Sequence, residues 1–223
     1  MARTPIRREA LSRDRILRAA LAIVDREGLE AISMRRVGEE LGVEAMSLYN
    51  HVVNKAAILD GIFETVLTEL PSAKRSASWQ AALRDRARAL RAVLRAHPNA
   101  LPIFATRPAV TPASMAHVEQ VLDILRTAGF SVADALSALQ VLVAFVVSHT
   151  VAADSPRRPD EESHPAYDRL GDAQFPRVRE AARHLARHDL DDEFEFGLDA
   201  MLSGLQVRLS GRGAAKRRSR DAQ

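Results

Sequence analysis

Residues 46–59 read MSLYNHVVNKAAIL, setting Tyr49, Asn50 and His51 in succession with Lys55 a short step beyond. The chemistry these side chains share is hydrogen bonding to nucleic acid. A phenol and an imidazole donate to phosphate oxygens, and a carboxamide such as Asn50 matches the donor and acceptor on the edge of adenine. Lys55 falls at the start of a predicted helix, where its ammonium and the free amide donors together favour a phosphate. Arg35, near the start of an earlier helix, carries the planar fork that meets a guanine edge bidentately. Packing asks only for Leu48 and Val52 in this stretch, which leaves Met46, Ser47, Tyr49 and Asn50 for an outer surface.

Four helices must hold these groups in place. The first is predicted from Ser12 to Glu27, with Ser12 as its cap, Ile16, Leu17, Ala20, Ile23 and Val24 on one face, and Gly28 as its end. Ser33 caps a second that stops at Gly42. A third starts near Glu44 or Ala45 and reaches about His51. Asn54 caps a fourth with the stripe Ile58, Leu59, Ile62, Val66 and Leu67, stopped by Pro71. Helix 33–41, the tight turn at Gly42 and Val43, and helix 45–51 have the lengths and apolar spacing of a helix-turn-helix, held together by Val37, Leu41, Val43 and Leu48. A packed helical hairpin in any bundle shares this hydrophobic pattern, so spacing alone leaves both readings open.

Residues 71–78 have the composition of a hinge. Beyond them, residues 79–97 form one amphipathic helix, with Leu83, Ala87, Leu90 and Leu94 inward and five arginines largely outward. Pro98 and Pro102 break it. Met115, Val118, Val121, Leu122 and Leu125 define another helix, closed by Gly129. Residues 135–153 are nineteen consecutive uncharged residues, near the length of a membrane span. Gln140, Ser148 and His149 interrupt the run and aromatic anchors are missing at its ends, so it reads as a central bundle helix buried on most sides. Residues 154–176, rich in charge and proline, read as an exposed mobile loop. Two helices close the fold. The last carries Phe194, Leu198, Met201, Leu202, Leu205 and Leu209, a stripe suited either to pairing with its own symmetry mate or to an intramolecular core.

The 223 residues are 47% hydrophobic and only 4% aromatic. With Ala, Leu, Arg and Glu dominant, they point to an all-α class with a sizeable core. Lack of cysteine excludes disulfides, thiolate metal sites and cysteine nucleophiles, and fits a reducing cytoplasm. Charges interleave through the N-terminus, so no secretory signal is expected. A formal charge of +3 is weak on its own, and what matters is that basic residues gather at the ends: Arg3, Arg7 and Arg8 in an N-terminal arm, and RGAAKRRSR at 212–220 in a tail read as solvated and disordered. Ser148, His149 and Asp154 are a candidate hydrolytic set. Adjacent helical residues point about 100° apart and no strand-turn-helix elbow exposes the serine, so the chain is not expected to be an enzyme.

Taken as a whole, ILRAALAIVDREGLEAISMRRVGEELGVEAMSLYNHVVNKAAIL over residues 16–59 resembles the N-terminal domain of TetR-type transcriptional regulators. The residues that carry the likeness are Ala19-Ala20-Leu21, the break at Gly28, Val37-Gly38, Leu41-Gly42-Val43, and Leu48-Tyr49-x-His51-x-x-x-Lys55. It extends to the tetracycline-repressor branch through SWQAALRDRARALR, TRP at 106–108, GFS at 129–131 and the helix from Phe194 to Val207. The resemblance implies a homodimer with two DNA-reading heads, a four-helix dimer interface using the 135–153 helix and the last helix, and a ligand cavity in each C-terminal domain. It implies three regions. Residues 1–70 would hold the N-terminal arm, a three-helix helix-turn-helix DNA-binding domain and the connecting helix. Residues 71–210 would be a helical ligand-binding and dimerisation domain, and residues 211–223 a basic, disordered tail.

By the same resemblance Arg35, Ser47, Tyr49, His51 and Lys55 match DNA-contacting positions. Ala45 and Met46 replace a polar reader and a proline of that branch, and Asn50 replaces a tryptophan, so its operator sequence does not carry over. The histidine that coordinates drug-bound magnesium in the branch corresponds to Ile103, and the other histidine and the glutamate fall near Ala144 and Ala152. The metal mode is thereby lost, no metal or cofactor is expected, and an apolar cavity lined by Ile103, Phe104, Val121, Leu125, Val141 and Phe145 takes its place. Each of these six is equally well explained as ordinary core. Of the candidate polar groups, Arg107 could pair with an anionic ligand or only cap a helix end, and a histidine such as His149 on an apolar helix is more often a core residue than a ligand contact. The partners implied are a double-stranded DNA operator, a small-molecule effector and a second copy of the chain, with no membrane. The expected activity is a cytoplasmic repressor released by a small, mainly apolar effector; a transcriptional activator or a ligand-independent DNA-binding protein is the alternative.

Overall fold

A computed structural model describes residues 10–72, 76–154, 175–185 and 189–221, with residues 154, 183–185 and 212–221 described by backbone alone. Among the described residues the secondary structure is helical throughout, without a strand. The caps read from the sequence form as expected. Helix α1 (Arg13–Glu27) starts where the Ser12 hydroxyl accepts from the Arg15 amide and ends at Gly28, whose φ is 85°. A 3-10 turn at Leu29–Ala31 leads to α2 (Met34–Leu41), where the Ser33 side chain accepts from the Arg36 amide. Then come α3 (Ala45–Leu48) and α4 (Lys55–Thr68), the latter capped by Asn54 accepting from the Ala57 amide. Each such cap satisfies an amide that the helix leaves without an internal partner, typically worth about 1 kcal/mol.

Helix α5 (Trp79–Ala96) begins at Ser78, and a 3-10 turn at Pro98–Ala100 precedes α6 (Leu101–Thr106). Helix α7 (Pro112–Thr127) opens on a reciprocal box between Thr111 and Ser114. The inward face of α5 is Leu83, Ala87, Arg91 and Leu94, which corrects one of the five arginines expected largely outward, Arg91, and the expected inward Leu90. Arg91 is buried while Leu90 is half-buried, because the aliphatic stem of an arginine covers apolar surface as a leucine does.

Packing divides the chain into two compact units, Met1–Ala128 and Gly129–Gln223. In the first, α4 packs on α1 and also on α5, α6 and α7, so the connecting helix has no gap behind it. Its core comprises Ile16, Ile23, Val37, Leu48, Ile58, Ile62, Leu83, Leu94 and Ile103, each 1% exposed or less.

In the second unit α8 (Val132–Asp154) packs against α10 (Leu190–Asp221), with α9 (Pro176–Leu185) between them in sequence. Ala135, Val146, Phe194 and Leu198 are completely buried there. Helix α8 is long and apolar enough to cross a membrane by length and composition. Contrary to the expectation that it is buried on most sides, its Val132, Leu136, Val141 and Val151 face out. On α10, Phe196 and Val207 do the same. The backbone from 211 to 221 continues α10, where a disordered tail was expected; alanine, lysine and arginine are strong helix formers and extend a helix that is already nucleated. The N-terminal arm with Arg3, Arg7 and Arg8, and all but the ends of the loop expected at 154–176, lie outside the described residues.

Candidate nucleic-acid interface

The approach of α3 to α2 is set by two glycines. A Cβ on Gly38 would lie 2.9 Å from the Val43 carbonyl oxygen and 3.2 Å from the Ala45 amide nitrogen, so only a hydrogen fits between α2 and the turn. The Val43 amide donates to the Gly38 carbonyl at 3.0 Å and seals this contact. Gly42 supplies the left-handed backbone, at φ 66°, that reverses the chain. Val37 and Leu48 close the crossing and are fully buried, with Leu41 and Val43 half-buried beside them.

Helix α3 ends at Leu48, short of the predicted His51. The Tyr49 amide donates to Met46 and the His51 amide to Leu48, so residues 49–51 form a tight turn instead of a further helical coil. Val52, 3% exposed, locks this turn from beneath. The consequence is an outward array: Met46 is 73% and Tyr49 48% exposed, Asn50 and His51 are exposed, and Ala45 and Ser47 are half-exposed. Lys55 is exposed as the first residue of α4. Arg35 is also outward, and its Nε donates to Glu39 Oε1 at 2.8 Å, so reaching a base requires exchanging that carboxylate. Val53, 76% exposed beside the array, was missed; two adjacent valines must split between inside and outside, but their types do not say which goes out.

Surface ion pairs hold α1 against α2 behind this face. Arg36 Nη2 lies 2.6 Å from Glu27 Oε1 and Arg26 Nη2 lies 2.9 Å from Glu40 Oε2. The hydrogen bond from Arg36 is the main reason that the Glu27 carboxyl is held down to about 2.

Helix α4 carries this head onto the rest of the first unit through a series of polar links. Near its start the Arg107 guanidinium, at the end of α6, donates through Nη2 to Asp60 Oδ1 at 2.6 Å and through Nε at 2.8 Å. Arg107 therefore braces α4 in this structure. Phe63 stacks on Phe104 with ring centroids 4.4 Å apart. Arg13 reaches from α1 to Glu64, 2.8 Å away.

At the far end, His97 Nδ1 lies 3.0 Å from the Asp25 carboxylate and Nε2 lies 3.0 Å from Glu69 Oε2. Burial opposes charge on this ring, but the hydrogen bonds to Glu69 and Asp25 outweigh it and raise its pKa above the ordinary 6.5. Only the imidazolium can donate to both acids. Its stabilising contribution is thus fully present below about pH 6.5 and lost as pH rises through the raised value. Melting temperatures of the wild type and His97→Gln, compared from pH 6 to pH 8, should converge with rising pH; a constant gap would contradict the ionised clamp.

The residues expected around an effector are divided between the two units. Ile103 and Leu125 are core residues of the first unit, Val121 is nearly so, and Phe104 is committed to Phe63. In the second unit Phe145 stacks on Phe194 at 5.3 Å, and the buried His149 meets Phe194 edge-on at 5.4 Å. Val141 is 57% exposed and faces outward. Ile103, Ala144 and Ala152 offer no donor atoms to a cation, so a metal-bound ligand does not fit these positions. A cavity of about 250 Å³ does open in the first unit, between α5, α7 and the segment after α4, lined by Pro71, Ala82, Asp85, Arg86, Ala89 and Ile124 among others. The sequence assigns none of them to a ligand site, although Arg86 on an otherwise amphipathic face was the available signal.

Two family models match the chain: the bacterial regulatory proteins of the tetR family over residues 16–62, and the tetracyclin repressor-like C-terminal domain over residues 70–209. The transcriptional repressor DrrR1 of Streptomyces coeruleorubidus is 34% identical over 91% of this chain and 80% of that protein. The class D tetracycline repressor of Escherichia coli is 31% identical over 90% and 91%. Among solved structures, the TetR family protein ActR of Streptomyces coelicolor in complex with actinorhodin superposes with a TM-score of 0.81 at 30% identity, covering 90% of this chain and 99% of that one. These relatives are regulators and not enzymes, and the two models together span the helix-turn-helix and most of the chain beyond it; the chain belongs to the TetR family of bacterial regulatory proteins.

Proposed function

We propose that this protein is a homodimeric, ligand-responsive repressor that binds a two-fold symmetric DNA operator and leaves it when a small, mainly apolar effector is bound. The observation that carries the reading is the outward array of Met46, Tyr49, Asn50 and His51 on a turn pinned from beneath by Leu48 and Val52. Tyr49, His51 and Lys55 serve the phosphates; Arg35, Ala45, Met46, Ser47 and Asn50 meet base edges. The exposed apolar residues of α8 and α10 supply the surface for a second copy. Residues 1–70 then act as the reading head and 71–210 as the ligand-binding and dimerising body, in the cytoplasm where the DNA is.

Helix α4 is the mechanical element. Lys55 stands at its DNA end, Asp60 is tied to Arg107, and the Glu69–Pro71 segment beyond it carries both the His97 clamp and one wall of the cavity. An effector that favours one setting of this helix changes the separation of the two heads, which must stay about 34 Å apart to enter successive major grooves. Occupancy alone does nothing; the effector must prefer the DNA-incompetent state by a few kcal/mol. The related ActR has been crystallised with actinorhodin and with (S)-DNPA, which supports an effector of small-molecule kind here.

Footprinting on the DNA upstream of the protein's own gene tests the reading. A protected palindrome that is released in a small-molecule screen is expected. Protection that no compound relieves would favour the ligand-independent alternative, and no protection at all would refute the proposal. Lys55→Ala should weaken binding on every sequence and flatten the salt dependence. Each phosphate contact contributes about 0.9 to the slope, so a dimer should lose about 1.8; an unchanged slope removes Lys55 from the interface.

A further inference from the structure

We propose that the cavity between α5 and α7 selects an apolar organic anion, with the Arg86 guanidinium as the group that recognises its negative charge. The inference builds on the effector reading above and gives that effector a chemical class. Arg86 is half-buried, and among the described residues its polar partner is His117, whose Nδ1 lies 3.2 Å from Nη2. An arginine is always charged, so it is the donor in this pair and His117 accepts as the neutral ring. No carboxylate among the described residues stands within ion-pair distance of Arg86.

Burial pulls the Arg86 pKa down from its ordinary value, and burial followed by the Arg86 charge pulls that of His117 down as well. The pair therefore holds one positive charge that the fold has partly desolvated without neutralising. Such a charge is unfavourable where it stands, and a ligand that brings an anion removes the penalty. Guanidinium also has five N–H donors in a planar fork, of which the contact with His117 uses one, leaving donors that match a carboxylate. Asp85 shares the lining but is exposed to water, where its field is screened. Pro71, Ala82, Ala89 and Ile124 give most of the remaining wall an apolar character, with Ser72 and Ser76 as its neutral polar residues. The volume of about 250 Å³ sits just below the usual range for ligand pockets of roughly 300–1,000 Å³, which suits a compact ring system carrying one acid group.

Isothermal titration of the DNA-free full-length protein with 2-naphthoate and with the uncharged 2-naphthamide tests this. The wild type should bind the acid at least about tenfold more tightly than the amide, the difference expected for a hydrogen-bonded charge pair. Arg86→Gln should erase that preference, bringing the affinities for acid and amide together, and Arg86→Lys should keep most of it. Melting curves establish that the variants fold, and should Arg86→Gln not fold, the acid-to-amide ratio of the wild type and of Arg86→Lys decides. Equal binding of acid and amide by the wild type, no binding of the acid, or an acid preference that survives Arg86→Gln would overturn the proposal. Operator footprinting is read separately, so acid binding through Arg86 by a protein that protects no DNA would retain the site and refute the regulator.

Discussion

Tyr49→Ala should reduce specific operator affinity by at least about 100-fold while shifting the melting temperature by less than about 2 °C. The magnitude follows from chemistry and symmetry. A hydrogen bond to a charged group is worth about 1.5–3 kcal/mol when its geometry is good, and a two-headed dimer loses the contact twice, so the total exceeds the roughly 2.7 kcal/mol that a hundredfold change requires. The small thermal effect follows from exposure. Tyr49 is 48% exposed on a turn whose burial is supplied by Leu48 and Val52, and surface substitutions of this kind change stability by about 0.5 kcal/mol or less. Gel-shift titration and calorimetry on the same preparation separate the two quantities. A large fall in melting temperature would place the ring in the core, and unchanged operator affinity would remove it from the interface.

The second large effect is expected at a residue with no side chain. Gly38→Val should lower stability by about 1–3 kcal/mol, the usual penalty for overpacking, and should abolish operator binding with it. The atoms that a Cβ meets are the Val43 carbonyl oxygen at 2.9 Å and the Ala45 amide nitrogen at 3.2 Å. Both belong to the backbone of the turn, which cannot rotate away as a flexible side chain would. Relief comes only by separating α2 from α3, and that rotates the whole outward array. Gly42→Asn is the informative contrast. A Cβ there meets nothing within 4 Å and the difficulty is solely its φ of 66°, a backbone region that asparagine tolerates. It should cost less than Gly38→Val and retain operator binding. Equal losses at the two glycines would mean that backbone conformation, and not close approach, governs this crossing.

Ser12, Ser33 and Asn54 were read as caps and each does accept from the amide three residues on, because a cap is decided within one helical turn and needs no knowledge of what lies across the core. Gly28 and Gly42 ended their helices for the same reason. That Met46, Tyr49 and Asn50 face outward was also legible, since Leu48 and Val52 leave little choice about which neighbours face out. Val53, Arg91 and Arg86 were not. A valine fits either side of a loop, and the stem of an arginine can lie in the core or along a cavity wall, so their placement depends on partners distant in sequence.

Sequence alone determined the helical class, the starts of the helices in the first 70 residues, most of the outward side chains between Ala45 and Lys55 and the family, because these follow from local hydrogen bonding and from spacing along one chain. Tertiary structure alone decided that residues 49–51 form a turn, that one face of α8 stays open, that α4 is tied to α6 through Arg107 and Asp60, and that a part-buried cation lines a cavity beside α5. Each of these is a matter of which surfaces meet. Burial and charge pairing are properties of two segments brought together, and a one-dimensional pattern holds only half of each pair.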